Sequence, residues 1–301
     1  SAKEGILKEM SDIFREYDSD NYDKEELVGR IYEQINCLLD VATDYGFDSN
    51  LWKSYIAYVL AMSENPFTET CENQGGQEGT VNEFVKDDLV NFEHLLNYDF
   101  SEIEKSLGIN CFTRITNYHS LVKPERRFNK SVSDSVKLLS DMLKDATDAD
   151  KLYNIVTEFY HKRGVGKFGL NKAFRIKKDG ENVILAPITN TSDVRMSDII
   201  GYESQKQKLV ENTRAFVNGK RANNVLLCGG SGTGKCTSIK AVLNEFYDDG
   251  LRMIEIYKHQ FKDLSAVLEM IKNRNYKFII YMDDLSFEEF EIEYKFLKAV
   301  I

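Results

Sequence analysis

The chain has 301 residues, a formal net charge of −10 and a hydrophobic content of 42%. This length predicts two domains, and the acidic balance argues against a protein that coats nucleic acid. No apolar run approaches about 18 residues and no signal-peptide pattern is present, so we expect no membrane association. The five cysteines are scattered and form no C-x-x-C pair, which favours neither a disulfide framework nor a zinc site. We therefore expect a reducing, cytoplasmic location.

Residues 1–160 are predicted to form an acidic helical domain. Residues 1–100 contain 22 Asp and Glu against 7 Lys and Arg. Apolar residues recur at helical spacing in two stripes that we expect to face a core. The stripes are Leu27, Ile31, Ile35, Leu38, Leu39 and Ala42, and then Val132, Val136, Leu139 and Leu143. Ser131 is a predicted N-cap, and the polar, glycine-rich residues 71–80 are a predicted exposed loop.

Residues 161–190 are predicted to form a basic linker that contains a β-hairpin. Asp179-Gly180 lies between two apolar runs, which is a strong hairpin signal. The preceding segment, Tyr160–Gly169, interleaves basic and aromatic residues, a composition that can hold single-stranded nucleic acid by charge and stacking. A solvated linker, or a surface that docks onto the acidic N-terminal region, explains the same composition.

Residues 191–301 contain a glycine-rich loop of the phosphate-binding type. The apolar run Val225–Leu227 predicts a buried parallel strand, and a G-x-x-x-x-G-K pattern follows it. Backbone N–H groups of such a loop cradle phosphates, and the helix N-terminus behind it attracts anions. The candidate nucleotide-binding residues are Gly229, Gly230, Ser231, Gly232, Thr233, Gly234, Lys235, Cys236 and Thr237. Helical spacing continues to a predicted stop at Gly250.

A second apolar run, Phe278–Met282, ends in two carboxylates, the Walker-B arrangement. Asp283 is the candidate ligand of Mg²⁺, held through water. Asp284 is the candidate base that positions the attacking water, although it is one methylene shorter than the usual Glu. The stretch between Lys235 and Asp283 has room for a helix, a further strand and another helix.

Ile199, Ile200 and Gly201 precede a predicted helix that ends near Gly219. With this segment the chain resembles the AAA-type ATPases, in which an aliphatic-aliphatic-glycine segment packs against adenine. Residues 155–301 are similar to a bacterial family of AAA-like ATPases that is known only as a domain of unknown function. The runs that carry the likeness are Gly201–Lys206, Ala222–Leu227, Gly232–Lys235, Leu251–Ile256 and Asp283–Glu288. The resemblance implies a P-loop three-layer αβα domain, ATP and Mg²⁺ as cofactors, and Lys235 and Asp284 as catalytic groups.

The first departure from that family is Cys236, where the relatives have Ser. A thiol is a soft and poor ligand of Mg²⁺. Thr237 is a doubtful substitute, because one step along a helix turns the side chain by about 100°. We expect weakened Mg²⁺ dependence with phosphate binding largely kept.

The second departure is that the sequence ends at Ile301, 17 residues after Asp284. The resemblance implies a sensor-1 strand between the phosphate-loop strand and the Walker-B strand, and then an arginine finger and a helical lid. We expect a fragment whose sheet is incomplete, with open edges that invite pairing, and whose hydrolysis is slow or undetectable.

The favoured function is an ATPase that couples nucleotide state to conformational work on an unknown target. One alternative is a nucleotide-gated adaptor or scaffold with little hydrolysis, and a lesser one is a nucleic-acid-binding ATPase that uses the basic linker. The expected partners are ATP and ADP. Further copies of the chain are also candidates, through the P-loop domain, because rings are common among AAA relatives.

Overall fold

A computed structural model describes residues 5–77, 79–120, 128–180, 182–189 and 191–283. The chain divides into two compact units, Ser1–Gly166 and Lys167–Ile301, rather than into two domains joined by a separate linker at 161–190. The described part is mostly helical, with one four-stranded mixed sheet. None of its helices is long and apolar enough to cross a lipid bilayer.

The described residues of the first unit form helices. They are α1 (Ile6–Asp18), α2 (Lys24–Tyr45), α3 (Leu51–Met62), α4 (Pro66–Gln74), α5 (Val81–Leu96), α6 (Ser101–Leu107), α7 (Cys111–Thr116), α8 (Lys130–Met142) and α9 (Ala149–Arg163). The two predicted stripes lie on α2 and at α8, and all their residues are buried except Leu39. Trp52 on α3 is also buried, and its indole N–H donates to the carbonyl of Leu95 at 2.7 Å.

Two local predictions in the first unit are wrong. Helix α8 is capped by Asn129 and not by Ser131, since the Asn129 side chain accepts from the N–H of Val132 at 3.3 Å. Residues 71–74 are the last turn of α4 rather than loop, and Cys71 and Glu72 are buried. The composition of this stretch resembles a loop, but α4 packs on α9 and continues until Gly75, whose φ is +74°.

The second unit combines helices with a sheet. Its elements are α10 (Gly166–Leu170, which begins at the unit boundary), β1 (Ala173–Asp179), β2 (Asn182–Pro187), α11 (Glu203–Val217), α12 (Lys235–Phe246), β3 (Leu251–Ile256), α13 (Leu264–Ile271) and β4 (Lys277–Met282). The strand order is β2-β1-β3-β4. Strands β1 and β2 are antiparallel, whereas β1–β3 and β3–β4 are parallel.

The predicted hairpin therefore exists, but it is part of the sheet rather than a linker. Phe174 of β1 pairs with Ile254 of β3. The side chains of Phe174, Ile176 and Leu185 are buried in the core of this unit. The turn signal at residues 179–180 predicts where the chain reverses, but it does not say which strand the hairpin joins.

Helices cover both faces of this sheet. One face packs against α13 through a cluster that includes Ile254, Leu264 and Val267. The other packs against α11 and α12 through a cluster that includes Leu209, Val242 and Met253. The helix–strand–helix–strand order predicted between Lys235 and Asp283 is confirmed by α12, β3, α13 and β4.

The prediction of a buried strand at Val225–Leu227 is wrong. These residues lie outside every described strand, and the side chains of Val225 and Leu226 are 48% and 76% exposed. An apolar run becomes a strand only when a neighbouring strand accepts its backbone hydrogen bonds. Within the described sheet no strand pairs with it, and β4 is an edge strand.

The basic, aromatic segment at 160–169 does not present its rings for stacking. Tyr160 belongs to α9, is buried, and donates its hydroxyl to the carbonyl of Leu60 at 2.9 Å. Phe168 is buried in the core of the second unit. The rings that suggested a single-strand binding surface are thus used in packing.

Candidate functional site

The glycine-rich loop, residues 229–234, is an ordered turn that leads directly into α12. Gly232 and Gly234 have φ values of +75° and +83°, a region that favours glycine because it has no Cβ. The Thr233 hydroxyl donates to the carbonyl of Gly230 at 2.9 Å, closing the turn. Helix α12 begins at Lys235 with Gly234 as its N-cap. The first N–H groups of a helix lack partners within it and carry partial positive charge, which suits an anion.

Lys235 folds back over this loop. Its Nζ donates to the carbonyl oxygens of Gly229 and Gly230 at 2.9 and 2.8 Å. An ammonium group has three N–H donors, so two bonds to the loop leave a third for an oxygen of a ligand. These two bonds fix the positive charge of Lys235 beside the backbone of the loop.

The segment predicted to contact adenine lies beside the loop. A Cβ atom placed on Gly234 would lie 3.8 Å from Cγ2 of Ile199. Lys206 on α11 donates to the carbonyl of Ile199 at 2.7 Å and holds it there. The next side chain, Ile200, is 94% exposed, and Gly201 turns the chain with a φ of +80°. An apolar side chain so exposed beside the glycine-rich loop has the size and chemistry to cover the flat face of a base.

The carboxyl end of β4 reaches the first turn of α12. Cys236 Sγ lies 3.7 and 3.8 Å from the two carboxylate oxygens of Asp283. Burial, and then hydrogen bonds to Cys236 and Asp283, raise the pKa of the Tyr281 phenol well above its ordinary value. A carboxylate and a phenol thus meet the thiol of Cys236, the residue that follows Lys235.

Tyr281 belongs to neither sequence motif, although strand periodicity places it at the site. Alternate residues of a strand point to the same face, so Tyr281 lies on the face of Ile279 and two residues before Asp283. Ile279 and Tyr281 pack with the α12 cluster, while Phe278, Ile280 and Met282 pack with the α13 cluster. Counting back by two from the acid identifies it.

Three further predicted site residues are Ser231, Thr237 and Asp284. Ser231 and Thr237 are exposed at the loop and on α12 respectively, and Asp284, the predicted base, lies outside the described residues. Cys228 directly precedes the loop and is exposed, as is Cys236 in the first turn of α12.

The donor set does not fit Mg²⁺. Asp283 offers oxygens, which Mg²⁺ prefers, but the side chain that approaches the carboxylate from α12 is the thiol of Cys236. Among the described residues, no group of three or more His, Cys, Asp and Glu side chains could hold a metal ion. A cation here would depend on ligands from the bound molecule, and we derive no step through Mg²⁺.

Fold and site define a mixed α/β unit in which a glycine-rich loop opens a helix beside a strand that ends in a carboxylate. Residues 169–301, less than half of the chain, match a family described as Protein of unknown function (DUF815). The match covers the sheet, the loop and Asp283. Comparison with curated proteins and with solved structures gives no match. The family match supports the predicted similarity to a domain of unknown function, and it does not assign an AAA-type activity.

Proposed function

We propose that the second unit binds ATP through the glycine-rich loop and the first turn of α12. The observation that carries the proposal is the position of Lys235, whose ammonium bridges the loop carbonyls at the N-terminus of α12. Two kinds of group attract phosphate oxygens at this turn: the backbone N–H groups, which carry the positive end of the helix dipole, and the lysine ammonium.

Each part of the nucleotide has a matching part of the site. The triphosphate would lie along residues 230–236, with the third N–H of Lys235 on a terminal oxygen. The base would pack on the exposed side chain of Ile200, beside Ile199. Asp283 faces the phosphate end, where it repels anions unless a cation or proton lies between them. This geometry supports the binding of a nucleotide and does not require hydrolysis.

Two functional outcomes follow from ATP binding. An AAA-type ATPase would use the bound nucleotide for conformational work on a target. A nucleotide-gated adaptor would use binding alone, and the Cys236 thiol favours this second outcome because it is a poor partner for the Mg²⁺ that hydrolysis normally requires.

Calorimetric titration of the full chain with ATP tests the proposal. Lys235→Ala should abolish measurable binding or weaken it by about 2 kcal/mol or more, since hydrogen bonds to charged groups are worth about 1.5–3 kcal/mol. Lys240→Ala is the matched control, an exposed lysine on the same helix that should bind like the parent. Equal loss in the two variants would indicate a nonspecific charge effect. No binding by the folded parent chain would refute the proposal.

A further inference from the structure

We infer that the nucleotide site of this chain selects a thiophilic divalent cation of the Zn²⁺ type over Mg²⁺, with Cys236 and Asp283 as its two protein ligands. The inference rests on the proposed nucleotide binding, because phosphate oxygens must complete the coordination. The Cys236 thiol is a poor ligand for Mg²⁺ but a good one for a softer cation.

The distance between the two side chains matches a shared cation. Zinc–sulfur and zinc–oxygen bonds of about 2.3 and 2.1 Å at a tetrahedral angle place sulfur and oxygen about 3.6 Å apart. In the structure the Cys236 thiol donates to the two Asp283 oxygens at 3.7 and 3.8 Å, so a cation that replaced this proton would be shared with little movement of either side chain. The two groups come from different elements, the first turn of α12 and the end of β4, so their approach is a product of the fold.

The surroundings also suit a bound cation. Tyr281 hydrogen bonds to Cys236 and Asp283, and such partners orient ligands and tune the cation. The ammonium group of Lys235 donates to the loop carbonyls rather than to Asp283, so it does not occupy the proposed cation position. Binding replaces the thiol proton: the S–H bond breaks, an S–metal bond forms, and the proton leaves to solvent.

The chemistry of the ligands decides the selectivity. Thiolate sulfur selects zinc and similar soft ions, whereas Mg²⁺ requires oxygen ligands in octahedral geometry. Two protein ligands alone make a weak site. ATP and the cation should therefore bind cooperatively, each raising the affinity of the other by the same factor.

The test uses the full chain, ATP, and Co²⁺ as a spectroscopic substitute for Zn²⁺. With ATP present, Co²⁺ should produce a thiolate-to-metal charge-transfer absorbance that saturates. Zn²⁺ should tighten ATP binding in calorimetry by about tenfold or more over Mg²⁺, since even the outer-shell partners of a metal change its affinity by about 10–100-fold. Cys236→Ser should lose the absorbance and reverse the preference towards Mg²⁺, and Asp283→Asn should weaken cation binding.

Cys228→Ser is the matched control, because it removes the other exposed thiol that flanks the loop. It should keep the absorbance and the Zn²⁺ preference. Persistence of the absorbance in Cys236→Ser, or equal ATP affinity with Zn²⁺ and Mg²⁺ in the parent, would overturn the inference while the proposed function stands. Absence of ATP binding both with and without cations would overturn the proposed function and this inference together.

Discussion

Four of the five cysteines lie in two contrasting environments, and the fifth, Cys37, is half-buried. Cys71 and Cys111 are buried in the first unit, whereas Cys228, just before the glycine-rich loop, and Cys236, in the first turn of α12, are exposed. Burial raises the pKa of the Cys71 thiol to about 11, and burial with the nearby charge of Glu104 raises that of Cys111. Because the thiolate is the reactive form, reactivity towards alkylating reagents should differ between the two groups.

Iodoacetamide labelling at pH 8, followed by mass spectrometry, should modify Cys228 and Cys236 first. With a pKa of about 11, roughly one Cys71 thiol in a thousand is ionised at this pH, and burial limits access further. ATP should slow labelling of Cys236 if the loop binds phosphate. Denatured protein, in which all five cysteines react, is the control. Native labelling of Cys71 as fast as that of Cys228 would contradict the burial described above.

At the scale of the element, helix ends in the first unit depend on glycine for two separable reasons. Gly46 ends α2 and Gly108 ends α6, both in the left-handed region, with φ values of +66° and +70°. A Cβ on Gly46 would lie 2.5 Å from a ring carbon of Phe128, whereas one on Gly108 would meet nothing within 4 Å. Substitution of Gly108 therefore tests backbone strain alone, whereas substitution of Gly46 tests backbone strain together with steric overlap.

Gly108→Ala should lower the free energy of unfolding by about 1–2 kcal/mol, the cost of a left-handed conformation with a Cβ. Gly46→Ala should cost about 1–3 kcal/mol more, because overlap with Phe128 adds the penalty of overpacking. Urea unfolding followed by circular dichroism measures both. Equal losses would show that the Phe128 ring moves aside freely.

Another element-scale feature is Arg252, a charged residue buried within β3. Its guanidinium donates to the carbonyls of Phe168, Gly169 and Tyr247, at 2.6, 3.0 and 2.9 Å. It also lies over the ring of Tyr247, 4.2 Å from its centroid. A planar group with five donors can satisfy carbonyls from several directions at once, which explains how the strand tolerates a buried charge.

At the scale of the whole molecule, the single tryptophan provides a reporter for one unit. Trp52 is buried in the first unit, while the glycine-rich loop lies in the second. Each unit has its own buried core, so we expect the two to unfold as separate transitions.

ATP at about a hundred times its dissociation constant should stabilise the second unit by about 2.7 kcal/mol. Calorimetry should show one transition moving to higher temperature, while the thermal transition followed by Trp52 emission stays in place. Lys235→Ala should remove the shift. An equal shift of the Trp52 transition would show instead that the units unfold together.

The sequence by itself determined the parts of this protein that depend on local pattern. Helical spacing predicts the buried stripes of α2 and α8, and the glycine-rich loop, α12, β3, α13 and β4 follow in the predicted order. The turn at residues 179–180 was also predictable. These features depend on the φ preferences of glycine and on periods of two and 3.6 residues, which neighbouring residues set without help from the rest of the chain.

Only the tertiary structure decided which segments find partners. It joins the hairpin to β3, leaves Val225 and Leu226 exposed, and extends α4 through residues that resemble a loop. It also brings Asp283 against Cys236, across 47 residues of sequence, together with Tyr281 from the same strand. Such contacts depend on which strands pair and which faces pack, and a strand pairing is a property of two distant segments that neither segment encodes alone.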